Sequence, residues 1–118
     1  MDKILIVDDD VEILQMVKFV LTLNKFAVET VSHWQEINTE VSNFKPDLVL
    51  MDISLGGVDG RTICKELHFN NETKDIPVIL FSANCKIGNH FEQYHAKAFI
   101  QKPFTISELV TTIKMTLE

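Results

Sequence analysis

Short, continuous apolar runs recur along the chain and constrain its fold more than any other feature. Four of these runs lack the polar–apolar alternation of a half-exposed strand, so each is typical of a strand buried on both faces. A fifth run alternates and is predicted to be an edge strand. The four buried runs are residues 4–7, 48–51, 78–81 and 98–100, and the alternating run is 26–30.

Segments with helical periodicity separate these runs. The clearest lies near the C-terminal end, where Thr105 and Glu108 form a capping box ahead of an apolar stripe with a period of about 3.6 residues. Two further helices begin behind acids that are suitable N-caps. Asp10 is predicted to cap a helix over Val11–Leu23, and Asp59 one that ends near Phe69.

The other two predicted helices have weaker signals. Ser32 and Gln35 form a second capping box, which would open a helix running to about residue 42. Residues 86–97 carry a short apolar stripe interrupted by Gly88 and Asn89, which predicts a short, mobile helix. Strand and helix then alternate five times, so the sequence predicts an α/β fold in which five helices flank a doubly wound, five-stranded parallel sheet.

Size and composition exclude several classes of protein. The 118 residues suit one domain, and a formal charge of −6 disfavours direct binding to a nucleic-acid backbone. Cys64 and Cys85 have no CxxC spacing, so packed cytosolic thiols are preferred over a disulfide framework or a zinc site. Without a signal-peptide pattern or a membrane-length apolar run, we expect a cytoplasmic protein with no membrane segment.

Polar side chains stand where the predicted strands end. In doubly wound folds, ligands bind beyond the carboxyl ends of the strands, near the switch in strand order, so these residues are expected to share one site. Acids gathered there repel and lose hydration, and a hard divalent cation such as Mg²⁺ is the natural offset. The residues are Asp8, Asp9, Asp52, Ser82 and Lys102.

This combination suits chemistry at phosphorus. Beside a metal ion and an ammonium, one carboxylate can attack phosphorus and form an acyl phosphate. Lys102 supplies a point charge able to reach a phosphoryl oxygen, and Ser82 could hydrogen-bond the product. A lone acid after a strand is more often a helix cap, which is the preferred interpretation of Asp10 and Asp59.

Four motifs together resemble the receiver domain of response regulators, the CheY-like family of two-component signalling. They occur in the order and approximate spacing of that family and cover essentially the whole chain. The resemblance implies the flavodoxin-like strand order 2-1-3-4-5 and a single receiver domain over residues 1–118, with no output domain in this chain. The motifs are "ILIVDDD", "DLVLMDISLGGVDG", "VILFSA" and "AFIQKPF".

The resemblance also implies residue roles at the acid cluster. Asp52 would be the phosphoacceptor, loaded from a phosphohistidine on a histidine kinase or a histidine phosphotransfer protein in a self-catalysed reaction. Asp8 and Asp9 would organise Mg²⁺, with Asp9 a direct ligand beside Asp52 and the backbone carbonyl of Ser54.

Other positions match the family's catalytic, switch and lifetime residues. Lys102 and Ser82 would complete the catalytic set, and Ser82 and Phe99 would form the switch. Phosphorylation would then bias the face built from the fourth helix, fifth strand and fifth helix, where the family binds partners or dimerises. Ser54 and Asn84 would tune the lifetime of the phosphate. The downstream partner stays open, as does the choice between a stand-alone regulator and a receiver of a larger protein such as a hybrid kinase.

The sequence also departs from the family's pattern. Gly56 and Gly57 stand in the loop after Asp52 where proline is common, which predicts a more flexible loop. His95 stands where glycine usually ends the fourth helix. The four histidines and Trp34 are interpreted as surface or packing residues.

Three other functions remain as alternatives. A receiver fold could serve only as a phosphorylation-independent binding surface. An Mg²⁺-dependent aspartyl phosphohydrolase would need a second acid where Ser54 stands. A flavodoxin-like FMN binder would need a glycine- and hydroxyl-rich phosphate loop after the first strand, where this chain has acids instead.

Overall fold

A computed structural model of the chain describes residues 1–83 and 90–118. Its five strands pair in parallel to form one sheet, in the order β2-β1-β3-β4-β5. The five predicted strands and their order are confirmed, and β2 is an edge strand as expected. The strands are β1 (Lys3–Val7), β2 (Ala27–Val31), β3 (Leu48–Asp52), β4 (Val78–Ser82) and β5 (Ala98–Gln101).

The described part of the chain contains four α-helices and two short 3-10 turns. The predicted fourth helix falls on residues 86–97, of which 86–89 lie outside the described residues. The second 3-10 turn occupies part of the remainder. The last helix, α4 below, is the fifth of the sequence-based prediction. The helices are α1 (Val11–Leu23), α2 (Ile37–Phe44), α3 (Gly60–Phe69) and α4 (Ile106–Leu117), and the turns are Trp34–Glu36 and Phe91–Tyr94.

Three predicted N-caps are confirmed. The Asp10 carboxylate accepts from the backbone N–H of Glu12 at 3.0 Å, and the Thr105 hydroxyl accepts from the N–H of Glu108 at 3.0 Å. Asp59 accepts from the N–H of Arg61 at 2.9 Å. Each side chain pairs an N–H that has no partner within its own helix, which fixes where α1, α3 and α4 begin.

The predicted capping box at Ser32 and Gln35 is wrong. The Ser32 hydroxyl lies 2.9 Å from His33 Nδ1 instead, and α2 begins only at Ile37, behind the first 3-10 turn. Ile37 and Val41 are 2% and 5% exposed. Their burial against the sheet determines where this helix lies and outweighs the local capping signal.

Both faces of the sheet are covered, which explains the continuous apolar runs. Alternate residues of β1 enter different cores: Ile4 and Ile6 pack with α1 and α4, and Leu5 and Val7 pack with α2 and α3. All four side chains are fully buried. Since every side chain of such a strand meets a helix layer, no polar alternation is needed.

Two further expectations concern the cysteine thiols and membrane-spanning segments. Cys64 is 1% exposed in α3, as expected of a packed thiol, whereas Cys85 lies outside the described residues. Within residues 1–83 and 90–118, no helix combines the length and apolarity needed to cross a membrane.

Candidate functional site

Parallel pairing brings the carboxyl ends of the central strands to one edge of the sheet. Asp52, the last residue of β3, is in register with Phe81 of β4, and Ser82 is in register with Gln101 of β5. Asp8 directly follows β1, the other neighbour of β3. The structure therefore gathers the polar strand ends at one place, which is the switch in strand order.

The three acids of the predicted metal site meet there. Each of Asp8, Asp9 and Asp52 offers a carboxylate oxygen, and these oxygens lie within 4.8 Å of one another. Asp8 and Asp52 are only 1% and 6% exposed, whereas Asp9 is exposed. This arrangement presents several hard oxygen donors at one point, with one of them accessible to solvent.

The local electrostatics favour an added positive charge. Burial, and next the charge of Asp8, raises the pKa of Asp52 to about 6. Burial likewise raises the pKa of Asp8 above its usual range, against hydrogen bonds from Asp10 and Lys102. The Lys102 ammonium lies 3.0 Å from Asp8 Oδ2 and 3.6 Å from Asp52 Oδ2. One ammonium only partly offsets the gathered carboxylates.

Contacts of its backbone and side chain hold Lys102 beside the acids. Its backbone N–H donates to the carbonyl of Ser82 at 2.8 Å, and the peptide bond to Pro103 is cis. Its Nζ lies 4.4 Å from the ring centroid of Phe81. The lysine side chain is 17% exposed and therefore largely confined to the site.

Asp8 is held at both of its oxygens. The backbone N–H of Asp10 donates to Oδ1 at 2.9 Å, and Lys102 Nζ donates to Oδ2 at 3.0 Å. Its own N–H donates to the carbonyl of Val31 at 3.1 Å. Asp8 is thus committed to positioning Lys102 and the start of α1.

The loop after Asp52 closes over Asp9. Gly56 has a φ of 60°, and a Cβ placed there would lie 3.4 Å from Asp9 Oδ2. Gly57 has a φ of 101°. Both angles lie in the left-handed region that glycine adopts without steric cost, so these glycines allow the loop its path beside Asp9.

The remaining predicted positions lie around this cluster. Ser82 is 9% exposed and lines, together with Ser54, a shallow depression beside the end of β3. Phe99 is half-buried in β5, in register with Leu80. Asn84 lies outside the described residues.

Sequence reasoning missed Arg61. Its Nε lies 3.0 Å from both carboxylate oxygens of Asp59, and its Nη1 lies 3.5 Å from the hydroxyl of Tyr94. It also lines the depression that contains Ser54 and Ser82. Arg61 belongs to none of the motifs at the strand ends, so no sequence signal placed this arginine beside the acid cluster.

Aromatic residues outside the acid cluster also have specific contacts. The rings of His68 and His95 are stacked, with centroids 4.0 Å apart, and both residues are exposed, as predicted for the histidines. His95 has a φ of 66°, which lies in the left-handed region that favours glycine. Trp34 is 38% exposed and lines a second depression together with Asp9 and Gly56, so this tryptophan lies beside the site.

Comparison with known proteins now identifies the family. The sequence matches the response regulator receiver domain over residues 4–114. The chain belongs to this family. The phosphate regulon transcriptional regulatory protein PhoB of Pseudomonas aeruginosa is 32% identical over 116 residues, which cover 97% of this chain and 51% of PhoB. The receiver domain spans about half the length of the curated relatives it matches.

Solved structures of receiver domains have the same architecture. The signal receiver domain of a signal transduction histidine kinase from Syntrophus aciditrophicus has a TM-score of 0.88 and 27% identity, covering 99% of this chain and 90% of that one. Chemotaxis response regulator CheY4 of Vibrio cholerae has a TM-score of 0.89 at 23% identity, covering 98% of both chains. Family and fold together identify a receiver domain of two-component signalling. This identification disfavours the FMN-binding and phosphohydrolase alternatives.

Proposed function

We propose that this receiver domain accepts a phosphoryl group on Asp52 from a phosphohistidine of a histidine kinase or a histidine phosphotransfer protein. One observation carries the proposal: Lys102 Nζ lies between the buried oxygens of Asp8 and Asp52, 3.0 Å and 3.6 Å away. Both Asp8 oxygens are engaged by Asp10 and Lys102. Asp52, at the end of the central strand, is therefore the preferred nucleophile.

The donor set fits Mg²⁺. Asp9 and Asp52 would be the carboxylate ligands, and the carbonyl of Ser54 would complete the protein's share, with Asp8 behind them. Magnesium prefers oxygen ligands and keeps several waters, which suits a cluster with one exposed acid. When bound, the cation would neutralise charge shared by the carboxylates and the phosphoryl oxygens.

The positions of the side chains support one transfer step. An oxygen of Asp52 attacks phosphorus, so that an O–P bond forms while the P–N bond to the donor histidine breaks, and the electron pair stays on that nitrogen. The Lys102 ammonium stabilises charge on the phosphoryl oxygens, and Asp8 holds the ammonium in place. The product is a modified protein, so the chain acts as a signalling phosphoacceptor with self-catalysed transfer and hydrolysis. Ser54 and Asn84 would tune that hydrolysis.

Phosphorylation would act on the rest of the domain through charge. The Ser82 hydroxyl would donate to a phosphoryl oxygen, and Phe99 would change rotamer in response. This would bias the face that includes β5 and α4 towards a downstream partner, a fused output domain or a second copy. A single cytoplasmic domain over residues 1–118, with no direct contact to nucleic acid or membrane, is part of the same proposal.

Intact mass spectrometry tests the assignment. After incubation with magnesium and a small acyl phosphate donor, the native chain should gain one phosphoryl group and Asp52→Asn should gain none. Asp10→Asn is the matched control, because asparagine preserves the N-cap and this variant should be phosphorylated. If the native chain gains no phosphoryl group and forms no beryllofluoride complex, the proposal is overturned in favour of a phosphorylation-independent binding module.

A further inference from the structure

We infer that Arg61 is a positioning residue that senses negative charge at Asp52 and transmits it to Tyr94. The inference rests on the proposed function, because it assigns a second route by which a phosphoryl group at the same site changes the domain. It adds a residue that the family's motifs do not contain.

The start of α3 is packed directly against the phosphorylation site. A Cβ added to Gly60 would overlap the backbone carbonyl of Asp52 and would lie 3.0 Å from the Cα of Ile53. The N–H of Gly60 donates to the carbonyl of Ile53 at 2.7 Å, and Ser54 forms an isolated bridge with Asp59. Arg61 therefore extends from backbone that is fixed to the end of β3.

The arginine links this backbone to the turn ahead of β5. Its guanidinium forms a fork with both carboxylate oxygens of Asp59, at 3.0 Å from Nε. The guanidinium carbon lies 5.2 Å from the ring centroid of Tyr94. Lys65, one helical turn further, places its Nζ 5.2 Å from the same centroid. Tyr94 is thus contacted by two cations from α3.

The surroundings of Arg61 leave room for a second position of its side chain. It lines the depression of about 440 Å³ that contains Ser54 and Ser82, and its side chain is 30% exposed, so it has room to turn. A phosphoryl group on Asp52 would carry about −1.5 to −2 charges in place of the single charge of the carboxylate, and it would bring new acceptor oxygens to this edge of the sheet. A guanidinium binds such oxygens in bidentate fashion, in competition with the half-exposed Asp59.

These contacts define two states. In the resting domain Arg61 contacts Asp59 and Tyr94. In the phosphorylated domain it turns into the depression, and Lys65 remains as the cation over the Tyr94 ring. The phosphoryl group prefers the second state because only there does Arg61 offset its charge. Tyr94 ends the turn Phe91–Tyr94, five residues before Phe99. Its release would change the surface that leads into β5.

Thermodynamic reciprocity provides the test, with beryllofluoride and magnesium as the probe for the phosphoryl group and calorimetry as the measurement. Tyr94→Leu removes one of the two contacts that hold Arg61 in its resting position. It should therefore tighten beryllofluoride binding about two- to fivefold, the factor for one exposed cation–π contact. Arg61→Gln should weaken binding about threefold or more, and Tyr94→Leu should then have no further effect.

Lys65→Gln is the matched control. It removes the same charge from the same tyrosine ring, but Lys65 does not line the depression. Its beryllofluoride affinity should stay within about twofold of the native value, the scale of an exposed charge. Arg61→Lys, which keeps the charge without the fork, should bind with intermediate affinity and serves if Arg61→Gln fails to fold.

The outcomes separate this inference from the proposed function. Equal affinities for the native chain, Arg61→Gln and Lys65→Gln would overturn the role of Arg61, while loss of binding in Asp52→Asn alone would leave the phosphoacceptor assignment in place. Absence of binding by the native chain would overturn both. A shift of the Tyr94 ring resonances on adding beryllofluoride, present in the native chain and lost in Arg61→Gln, would support the coupling.

Discussion

Lys102 Nζ lies 3.0 Å from Asp8 Oδ2, although the two residues are 94 positions apart in the chain. The carboxylate of Asp8 is almost completely buried, so this contact compensates a charge that would otherwise be buried without an ion-pair partner. The same ammonium lies 3.6 Å from Asp52 Oδ2. The pair thus serves stability and the proposed phosphoryl transfer together.

Removing this ammonium should destabilise the metal-free domain. Lys102→Met keeps the apolar stem but leaves Asp8 unpaired, and we expect a loss of roughly 1–3 kcal/mol in the free energy of unfolding, limited because Asp8 can take up a proton. Urea denaturation with a chelator present measures this change. Lys18→Met, at an exposed position, should stay within about 0.5 kcal/mol of the native chain. A change at Lys102 as small as at Lys18 would contradict the pairing.

Asp52 should make the metal-free domain less stable as the pH rises. Its folded-state pKa of about 6 lies above its unfolded value, so stability present at low pH is lost as the pH rises through 6. Asp52→Asn removes this loss and should raise the free energy of unfolding at pH 8 by about 1–3 kcal/mol.

The pH profile provides the check on this assignment. Denaturation curves between pH 4 and 8 should converge for the native chain and Asp52→Asn at the acidic end. Magnesium should narrow the gap at pH 8, because the cation stabilises the ionised carboxylate of the native chain. Asp75→Asn, at an exposed position, is the control. A constant offset between native and Asp52→Asn curves over the whole range would contradict the titration of Asp52.

Magnesium binding should change the fluorescence of Trp34, which lines the same depression as Asp9. Asp9→Asn removes a proposed ligand and should weaken magnesium affinity by at least about tenfold, since loss of outer partners alone often costs that much. Asp10→Asn has the same charge change one position away and should bind within about threefold of the native chain. Equal weakening in both variants would indicate a general charge effect and would remove Asp9 from the ligand set.

Gly60 should tolerate no side chain. A Cβ there would overlap the Asp52 carbonyl, so Gly60→Ala must displace α3 from the end of β3. We expect a loss of roughly 2–3 kcal/mol in the free energy of unfolding, despite the better helix propensity of alanine. Thr62→Ala, exposed in the same helical turn, should change it by less than about 0.5 kcal/mol. A neutral Gly60→Ala would show that α3 does not rest on Asp52.

Local chemistry explains which parts of the fold were predictable. Continuous apolar runs gave the strands because a strand covered on both faces needs no polar side chain. Asp10, Asp59 and Thr105 were predicted as caps because each pairs with an N–H within three residues. The same kind of signal failed at Ser32, where the hydroxyl contacts His33 and burial of Ile37 sets the start of α2.

The sequence by itself determined the order of strands and helices along the chain, the caps of α1, α3 and α4, and the identity of the polar residues at the strand ends. These features depend on near neighbours in the chain. Tertiary structure alone decided the distances: the acid oxygens within 4.8 Å, Lys102 between two of them, and Arg61 between Asp59 and Tyr94. Contacts between distant segments depend on how the helices pack on the sheet, and no local pattern encodes that packing.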